Sequence, residues 1–370
     1  MWSTIIILSI AFLVLLFYVI RILNFCFGLQ RLKEYKINTN KQKKAVSVVV
    51  PFYNEEENLP LLISSLSDQN FQHSESEIIL VDDYSDDHSR EIANKAIKGN
   101  NTIHLIRSSL KKGKKYALLA GIKSAKNEDI LITDADCTLS KDWAKHMISF
   151  ITEKDLLLAC GAVIYEKKRG FFRNFQSLDF LSLVATGAAS FGNKNPLMCN
   201  AANMGFKKSL FLEAFKNLHP SHPSGDDMFL LEYAKKKYPE KIDFCLDKSN
   251  IVRTKPVSGI KQFFKQRMRW ASKSKLYKDN SLIGLSVLIL LSALTFAGLL
   301  FASVFSAIYL KAFLVYFSIK LLIDFYFINK ATRKFSSTYL LKFFVPSLII
   351  HPFYIIIAAL GGFLSRSEKE

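Results

Sequence analysis

Ala45-Val46-Ser47-Val48-Val49-Val50-Pro51-Phe52-Tyr53-Asn54-Glu55-Glu56 is the stretch that decides the fold. A short β-branched apolar run, closed by proline and then by polar residues, is the pattern of a strand buried on both faces, as in a parallel sheet. The pattern recurs downstream. Asn58 to Ser67 has helical spacing, Glu77 to Val81 reads as a second strand and Ser89 to Ile97 as a helix. Thr102 to Ile106 is a third strand, Lys114 to Lys126 a helix and Asp129 to Thr133 a fourth strand, with Trp143 to Thr152 and Leu156 to Tyr165 completing the series. Repeated β-α-β units imply an α/β fold with a mostly parallel, Rossmann-like sheet and helices on both faces. Such sheets bind ligands beyond the carboxyl ends of their strands. Tyr53, Asp82, Asp83, Asp134 and Asp136 all fall there.

Outward from this core, both ends of the chain turn apolar. Half of the 370 residues are hydrophobic, enough for a full core with apolar segments to spare. Trp2 to Ile20 carries no charge and is long enough to cross a bilayer. A cleavable signal peptide fits poorly, because no basic stretch precedes the run and no small-residue cleavage site follows it. A retained anchor is the expectation. Leu282 to Phe301, Phe305 to Ile328 and Phe343 to Leu364 each approach or exceed a span, although one long tilted helix in place of the first two stays open. The expected plan is an anchor over 1–27, a globular domain over 28–255, an interfacial helix over 256–280, and transmembrane α-helices, about three of them, over 281–370.

Fifty Lys and Arg against 32 Asp and Glu give a net charge of +18, which points to nucleic acid or to a membrane surface. Position favours the membrane. Basic residues gather beside the apolar segments: Arg31, Lys33, Lys36, Lys41, Lys43 and Lys44; Lys261 to Lys278; and Lys330, Arg333, Lys334 and Lys342. With four spans all three groups share one side, which the positive-inside rule makes cytosolic, and both termini lie on the other. Membrane lipids are then partners of this basic rim; no nucleic acid is expected, since no motif for it is present. Five cysteines, at 26, 137, 160, 199 and 245, include no CxxC pair, which indicates neither a zinc site nor a disulfide framework. Phe171 to Leu183, rich in aromatics and preceded by Lys167, Lys168 and Arg169, reads either as a core helix or as a helix in the membrane interface.

Four clusters carry the chemistry. Asp134-Ala135-Asp136 follows a strand; where the backbone turns, both carboxylates can face one Mg2+ or Mn2+, hard ions that take oxygen ligands and leave room for phosphate. A solvated turn is the plain alternative. Asp82-Asp83 can accept from a nucleobase N–H or a ribose hydroxyl, or serve a turn with Ser85 or Asp86 capping the next helix. Lys112 and Lys114 flank Gly113 at a helix start, where phosphate is attracted, although a solvated basic run looks the same. Gly225-Asp226-Asp227 opens a helix to Lys237; an acid there can take a proton from an attacking hydroxyl or only complement the helix dipole. Gln266, Arg269 and Trp270 share a helix face, as a diphosphate and ring clamp or as membrane-interface anchors. His219 and His222, between prolines, mark a mobile loop or a rigid turn.

Taken together, Ala45 to Trp270 resembles the family 2 glycosyltransferases, inverting enzymes of GT-A fold, with membrane segments arranged as in the ceramide glucosyltransferase and hyaluronan or cellulose synthase branches. The resemblance implies that Pro51, Tyr53, Asn54 and Glu55 belong to the nucleotide-contacting opening motif and that Asp83 contacts uracil. It implies a D-x-D metal motif in Asp134 and Asp136, with Lys112, Lys114 and Asp134 on the nucleotide. Cys199 to Phe206 looks like the acceptor-side segment, with Asn203 in it. Asp227 matches the catalytic base, and Gln266, Arg269 and Trp270 match Q-x-x-R-W on the acceptor and diphosphate side. The base motif reads Gly-Asp-Asp where Glu-Asp forms are frequent, so Asp226 rivals Asp227. The implied partners are a nucleotide-sugar donor, UDP-linked, and a lipid or lipid-linked acceptor; the implied cofactor is Mg2+ or Mn2+. The implied setting is an integral membrane protein of a bacterial inner membrane with a cytoplasmic catalytic domain. A processive polysaccharide synthase and an inactive nucleotide-sugar-binding homologue are the alternatives. Oligomeric state is not legible.

Overall fold

β1 (Ser47–Phe52) and β2 (Glu77–Asp82) are buried along their whole length, as the apolar runs require. In a computed structural model, described for residues 2–37, 44–71, 73–108, 111–216, 226–273 and 277–364, they pair in parallel with Val49 opposite Ile79. β3 (Ile103–Arg107) continues on one side and β4 (Asp129–Ile132) on the other, both parallel. β7 (Met204–Lys207) then enters antiparallel between β4 and β5 (Leu158–Gly161), and β8 (Ile242–Cys245) closes the order β3-β2-β1-β4-β7-β5-β8. A two-stranded parallel ribbon joins β6 (Val163–Tyr165) to β9 (Val252–Thr254). The expected strand over Leu156–Tyr165 is thus two strands serving two sheets, parted at Ala162.

Around the sheet lie α2 (Leu59–Ser67), α3 (Ser89–Gly99), α4 (Lys114–Ser124), α5 (Trp143–Glu153), α7 (Lys208–Phe215) and α8 (Asp226–Lys237). At the amino ends of β1 and β2, Ser47 Oγ donates to Glu77 at 2.7 Å, and the Lys126 N–H meets the same carboxylate at 2.7 Å. That end of the sheet is closed by its own hydrogen bonds.

The chain divides into two compact units: residues Leu32–Glu166 with Lys194–Lys255, and residues Met1–Arg31, Lys167–Asn193 and Pro256–Glu370. The expectation of one unbroken domain over 28–255 is corrected here, because Lys167–Asn193 belongs with the terminal helices. The helical unit contains α1 (Trp2–Arg31), α6 (Phe171–Gly192), α9 (Ile260–Ser272), α10 (Asn280–Ala302), α11 (Ala307–Lys334) and α12 (Phe344–Leu364). The Phe-rich segment is longer than its sequence pattern and buries Phe175, Leu178, Phe180 and Leu181 within that unit.

Among the described residues, three helical segments are long and apolar enough to cross a membrane: Trp2–Arg31, Asn280–Ala302 and Thr338–Leu364. α11, where the second of the three C-terminal spans was expected, is not among them; it carries Lys311, Lys320 and Asp324. Lys320 and Asp324 offset each other in place. Lys320 Nζ donates to Asp324 Oδ2 at 2.8 Å and to Tyr18 Oη at 2.6 Å, and Tyr18 Oη donates to Asp324 Oδ1 at 2.8 Å. Lys41, Lys43, His219, His222 and Gly225 lie outside the described residues.

Candidate active site

The loop after β1 is knitted to the loop after β2. Asn54 adopts φ 53, a left-handed conformation that asparagine tolerates better than most residues. Its N–H donates to Ser85 Oγ and its Oδ1 accepts the Asp86 N–H at 3.0 Å. Glu55 N–H donates to Ser89 Oγ at 2.7 Å. Ser85 and Asp86 are therefore committed to the β1 loop, and the expectation that one of them caps α3 is corrected: Asp87 Oδ1 accepts the Ser89 N–H at 2.9 Å.

Asp82 and Asp83 part company at the end of β2. Asp82 is fully buried and paired with Arg90 at 3.1 Å and Arg107 at 3.9 Å, a purely internal arrangement. Both Asp83 oxygens accept the Gly113 N–H at 2.9 Å. Gly113 has φ 134, a region that only glycine enters freely. Burial pushes the Asp83 pKa up, and the Gly113 N–H and Lys112 only partly offset it. Lys112 Nζ stands 4.1 Å over the Tyr53 ring, itself 41% exposed. Tyr53, Asp83 and Lys112 thus line one edge of the strand ends, while Pro51 is buried inside β1.

Beyond β4 the carboxylates crowd. Lys114 Nζ donates to Asp134 Oδ1 at 2.6 Å. Asp136 accepts from Thr254 Oγ1 at 3.0 Å and from the Cys137 thiol at 3.4 Å. Burial raises the Asp136 pKa and the neighbouring Asp134 charge raises it further. Glu55 is raised in the same way, by burial and then by Asp136 and Asp134, against a hydrogen bond from Asn58. Burial would lower the Lys114 pKa, but Asp134, then Asp227 and Asp136, hold it well above its ordinary value.

Asp227, in the first turn of α8, shares this cluster. Its Oδ2 accepts the Ala201 N–H at 3.2 Å and its Oδ1 the Met228 N–H at 2.9 Å. Cys199 Sγ donates to its carbonyl at 3.4 Å. The segment from Cys199 and the α8 acid, distant in sequence, therefore meet. Asp226 opens the same helix, and its side chain lies outside the described residues.

Asn203, expected on the acceptor side, has a structural setting. It is fully buried, accepting from Trp143 Nε1 at 2.9 Å and donating to the carbonyls of Ala162 at 2.9 Å and Asn250 at 2.6 Å. A satisfied buried amide of this kind joins elements. No motif marked Thr254, which reaches Asp136 from the end of β9. Gln266, Arg269 and Trp270 are on α9 in the helical unit; Arg269 is exposed and the other two half-buried.

Among the described residues, no three acidic, histidine or cysteine side chains converge as a ready ligand set. The donor set nevertheless fits a divalent cation. Asp134 and Asp136 are hard oxygen donors one residue apart, and their mutual repulsion, felt also by Glu55, is what a divalent charge would relieve.

A mostly parallel sheet with one antiparallel insertion, and an acidic, lysine-bearing rim at its carboxyl ends, is of the GT-A fold class. Residues 47–215 match the model of Glycosyl transferase family 2, and the chain carries a glycosyltransferase domain of that family. Relatives include the glycosyltransferase AglE of Haloferax volcanii, 26% identical over 34% of this chain and 41% of its own length. Another is an undecaprenyl-phosphate 4-deoxy-4-formamido-L-arabinose transferase of Photorhabdus laumondii, 42% identical over 26% of this chain and 30% of its own. The chain thus spans less than half the length of these relatives. The fold resembles the mannosyltransferase PcManGT from Pyrobaculum calidifontis, solved with GDP-Man and Mn2+, with a TM-score of 0.56, 15% identity, and coverage of 98% of this chain and 100% of that one.

Proposed function

We propose that the protein transfers a sugar from a nucleotide-diphospho-sugar, UDP-linked, to a hydroxyl of a lipid or lipid-linked acceptor, with inversion at the anomeric carbon. The observation that carries this reading is the Lys114 ammonium held among Asp134, Asp136 and Asp227 at the carboxyl ends of a family 2 sheet. Tyr53, Asn54, Asp83 and Lys112 receive the nucleotide. Asp134 and Asp136 would hold Mg2+ or Mn2+, which when bound offsets the charge gathering on the departing diphosphate.

Asp227 is the base. Its carboxylate takes the proton of the acceptor hydroxyl as that oxygen bonds to the anomeric carbon and the bond to the nucleoside diphosphate breaks. The Ala201 N–H holds and aims the carboxylate from the first turn of α8. Gln266, Arg269 and Trp270 serve the diphosphate and acceptor. The apolar helices keep the protein in the membrane beside a lipid acceptor, with the sheet domain on the cytoplasmic face and α11 as the fourth span.

The name of the Photorhabdus relative favours a second reading, transfer to a lipid phosphate. A phosphate oxygen, with a second pKa of about 6, is already ionised near neutral pH and needs no base. One experiment separates the two. Nucleotide release from UDP- and GDP-sugars is followed with manganese, with lipid alcohol or lipid phosphate as acceptor, for the wild type and Asp227→Asn. Loss of about 10² to 10⁴-fold in Asp227→Asn with a hydroxyl acceptor is the expected result. A variant as active as the wild type removes Asp227 as base, and no release from any donor refutes the transferase reading.

A further inference from the structure

We infer that Asp179 and Arg267 are a positioning pair that presets Gln266 and Trp270 for sugar transfer, an inference that rests on the reading above. Neither residue belongs to the motif set. Both are in the helical unit, and their side chains are only 2% and 4% exposed.

Arg267 Nη2 lies 2.7 Å from Asp179 Oδ2, so α6 and α9 are joined by a buried ion pair. The same guanidinium reaches two of the three expected motif residues. Its Nη1 donates to Gln266 Oε1 at 3.2 Å, and its Cζ stands over the Trp270 ring, 4.2 Å from the ring centre. It also stands 4.8 Å from the centre of the Phe263 ring, so the cation contacts two aromatic rings of its own helix.

The carboxylate has further partners. Tyr354 Oη on α12 donates to Asp179 Oδ1, and His351 Nε2 is 3.8 Å from the same oxygen. α12 also abuts α9 closely: a Cβ at Gly361 would lie 2.1 Å from Met268 Sδ. α12 thus holds the Asp179 carboxylate, that carboxylate holds the guanidinium, and the guanidinium contacts Gln266 and Trp270. A rigid arginine fork suits this task, and lysine, a point charge on a flexible stem, does not.

A charge pair kept only to hold helices together can be exchanged for apolar residues of similar volume without harm. The test uses that difference. Full-length wild type, Asp179→Asn, Arg267→Lys and the double variant Asp179→Leu/Arg267→Met are compared in nanodiscs. Thermal unfolding, UDP binding with manganese, and kcat and KM for transfer are measured. The double variant is expected to unfold at the wild-type temperature and bind UDP within about twofold, because the nucleotide residues are elsewhere. Its kcat is expected to fall about tenfold or more, since misplacing a positioning group is costly even when nothing unfolds. Wild-type kcat in the double variant would overturn the inference and leave the pair a structural clasp. Should that variant not fold, Arg267→Lys decides: lowered kcat with unchanged melting supports the inference, and wild-type kcat overturns it. An inactive wild type, or a fully active Asp227→Asn, refutes the underlying reading instead.

Discussion

The carboxylates at the strand ends and those among the apolar helices are treated in opposite ways. In the sheet unit, Asp134, Asp136 and Glu55 repel one another, and burial and like charge hold the pKa values of Asp136 and Glu55 up, with Lys114 the principal counter-charge. In the helical unit each of the three described acids is matched: Asp179 by Arg267, Asp324 by Lys320 and Tyr18, and Asp279 by the Ser281 and Leu282 N–H groups. Charge in balance holds helices where a bare charge is expensive. Charge left in excess marks the place where a cationic partner is expected.

The comparison is broken most severely at Asp136. Asp136→Asn is expected to cut transfer by about 10² to 10³-fold, the scale of several kcal/mol of metal-assisted charge stabilisation. The same variant is expected to melt higher than the wild type when both are stripped of metal. The sign follows from linkage: a carboxyl whose pKa is raised by folding destabilises the folded state above that pKa, and the penalty is relieved as pH falls through it. Between neutral pH and the ordinary carboxylate range the metal-free wild type should therefore gain on the variant. Calorimetry with and without manganese across that range checks this. A variant that melts lower in the absence of metal would mean that Asp136 is a structural acid.

That excess of charge was visible in the sequence, because strands β1, β2 and β4 are apolar runs and the acids follow them directly. Other parts of the site were hidden for physical reasons. The Asn203 amide resembles an acceptor contact in one dimension, and only the approach of Trp143, Ala162 and Asn250 shows it to be a buried joint. β7 inserts antiparallel through pairings that no local pattern encodes. The helical unit left one readable sign, a single aspartate in the Phe-rich run of α6, and its partner Arg267 sat among many basic residues that resemble membrane anchors.

The next largest effect is expected where balance is strict. Lys320→Met leaves the half-buried Asp324 without its cation, with only the Tyr18 hydroxyl donating to it, and is expected to destabilise by about 3 kcal/mol. Lys320→Met with Asp324→Leu should recover most of that loss, because the apolar pair removes both charges at once. Unfolding in detergent, read by tryptophan emission or proteolysis, separates the two. Equal losses in the single and double variants would show that the polar contacts themselves, with Tyr18, hold α1 to α11.

The smallest effect sharpens the same contrast inside the sheet unit. Lys207 and Asp129 meet at 2.5 Å, and Lys154 and Asp243 at 2.6 Å, so length alone makes the pairs equivalent. Burial separates them: side-chain exposure is 16% and 6% in the first pair and 48% and 20% in the second. Water and salt screen the exposed pair, and Lys154 gives up rotamer freedom to make it, so Lys154→Ala is expected to cost about 0 to 1 kcal/mol and less in high salt. Part of that cost belongs to its stem and ammonium over the Phe150 ring at 4.6 Å. Lys207→Met leaves Asp129 buried without its hydrogen-bonded cation and is expected to cost about 2 kcal/mol, with little dependence on salt. Denaturant midpoints in low and high salt measure both. If the two losses are equal and respond to salt alike, burial is not what sets the strength of an ion pair in this protein, and the contrast between its two units would need another cause.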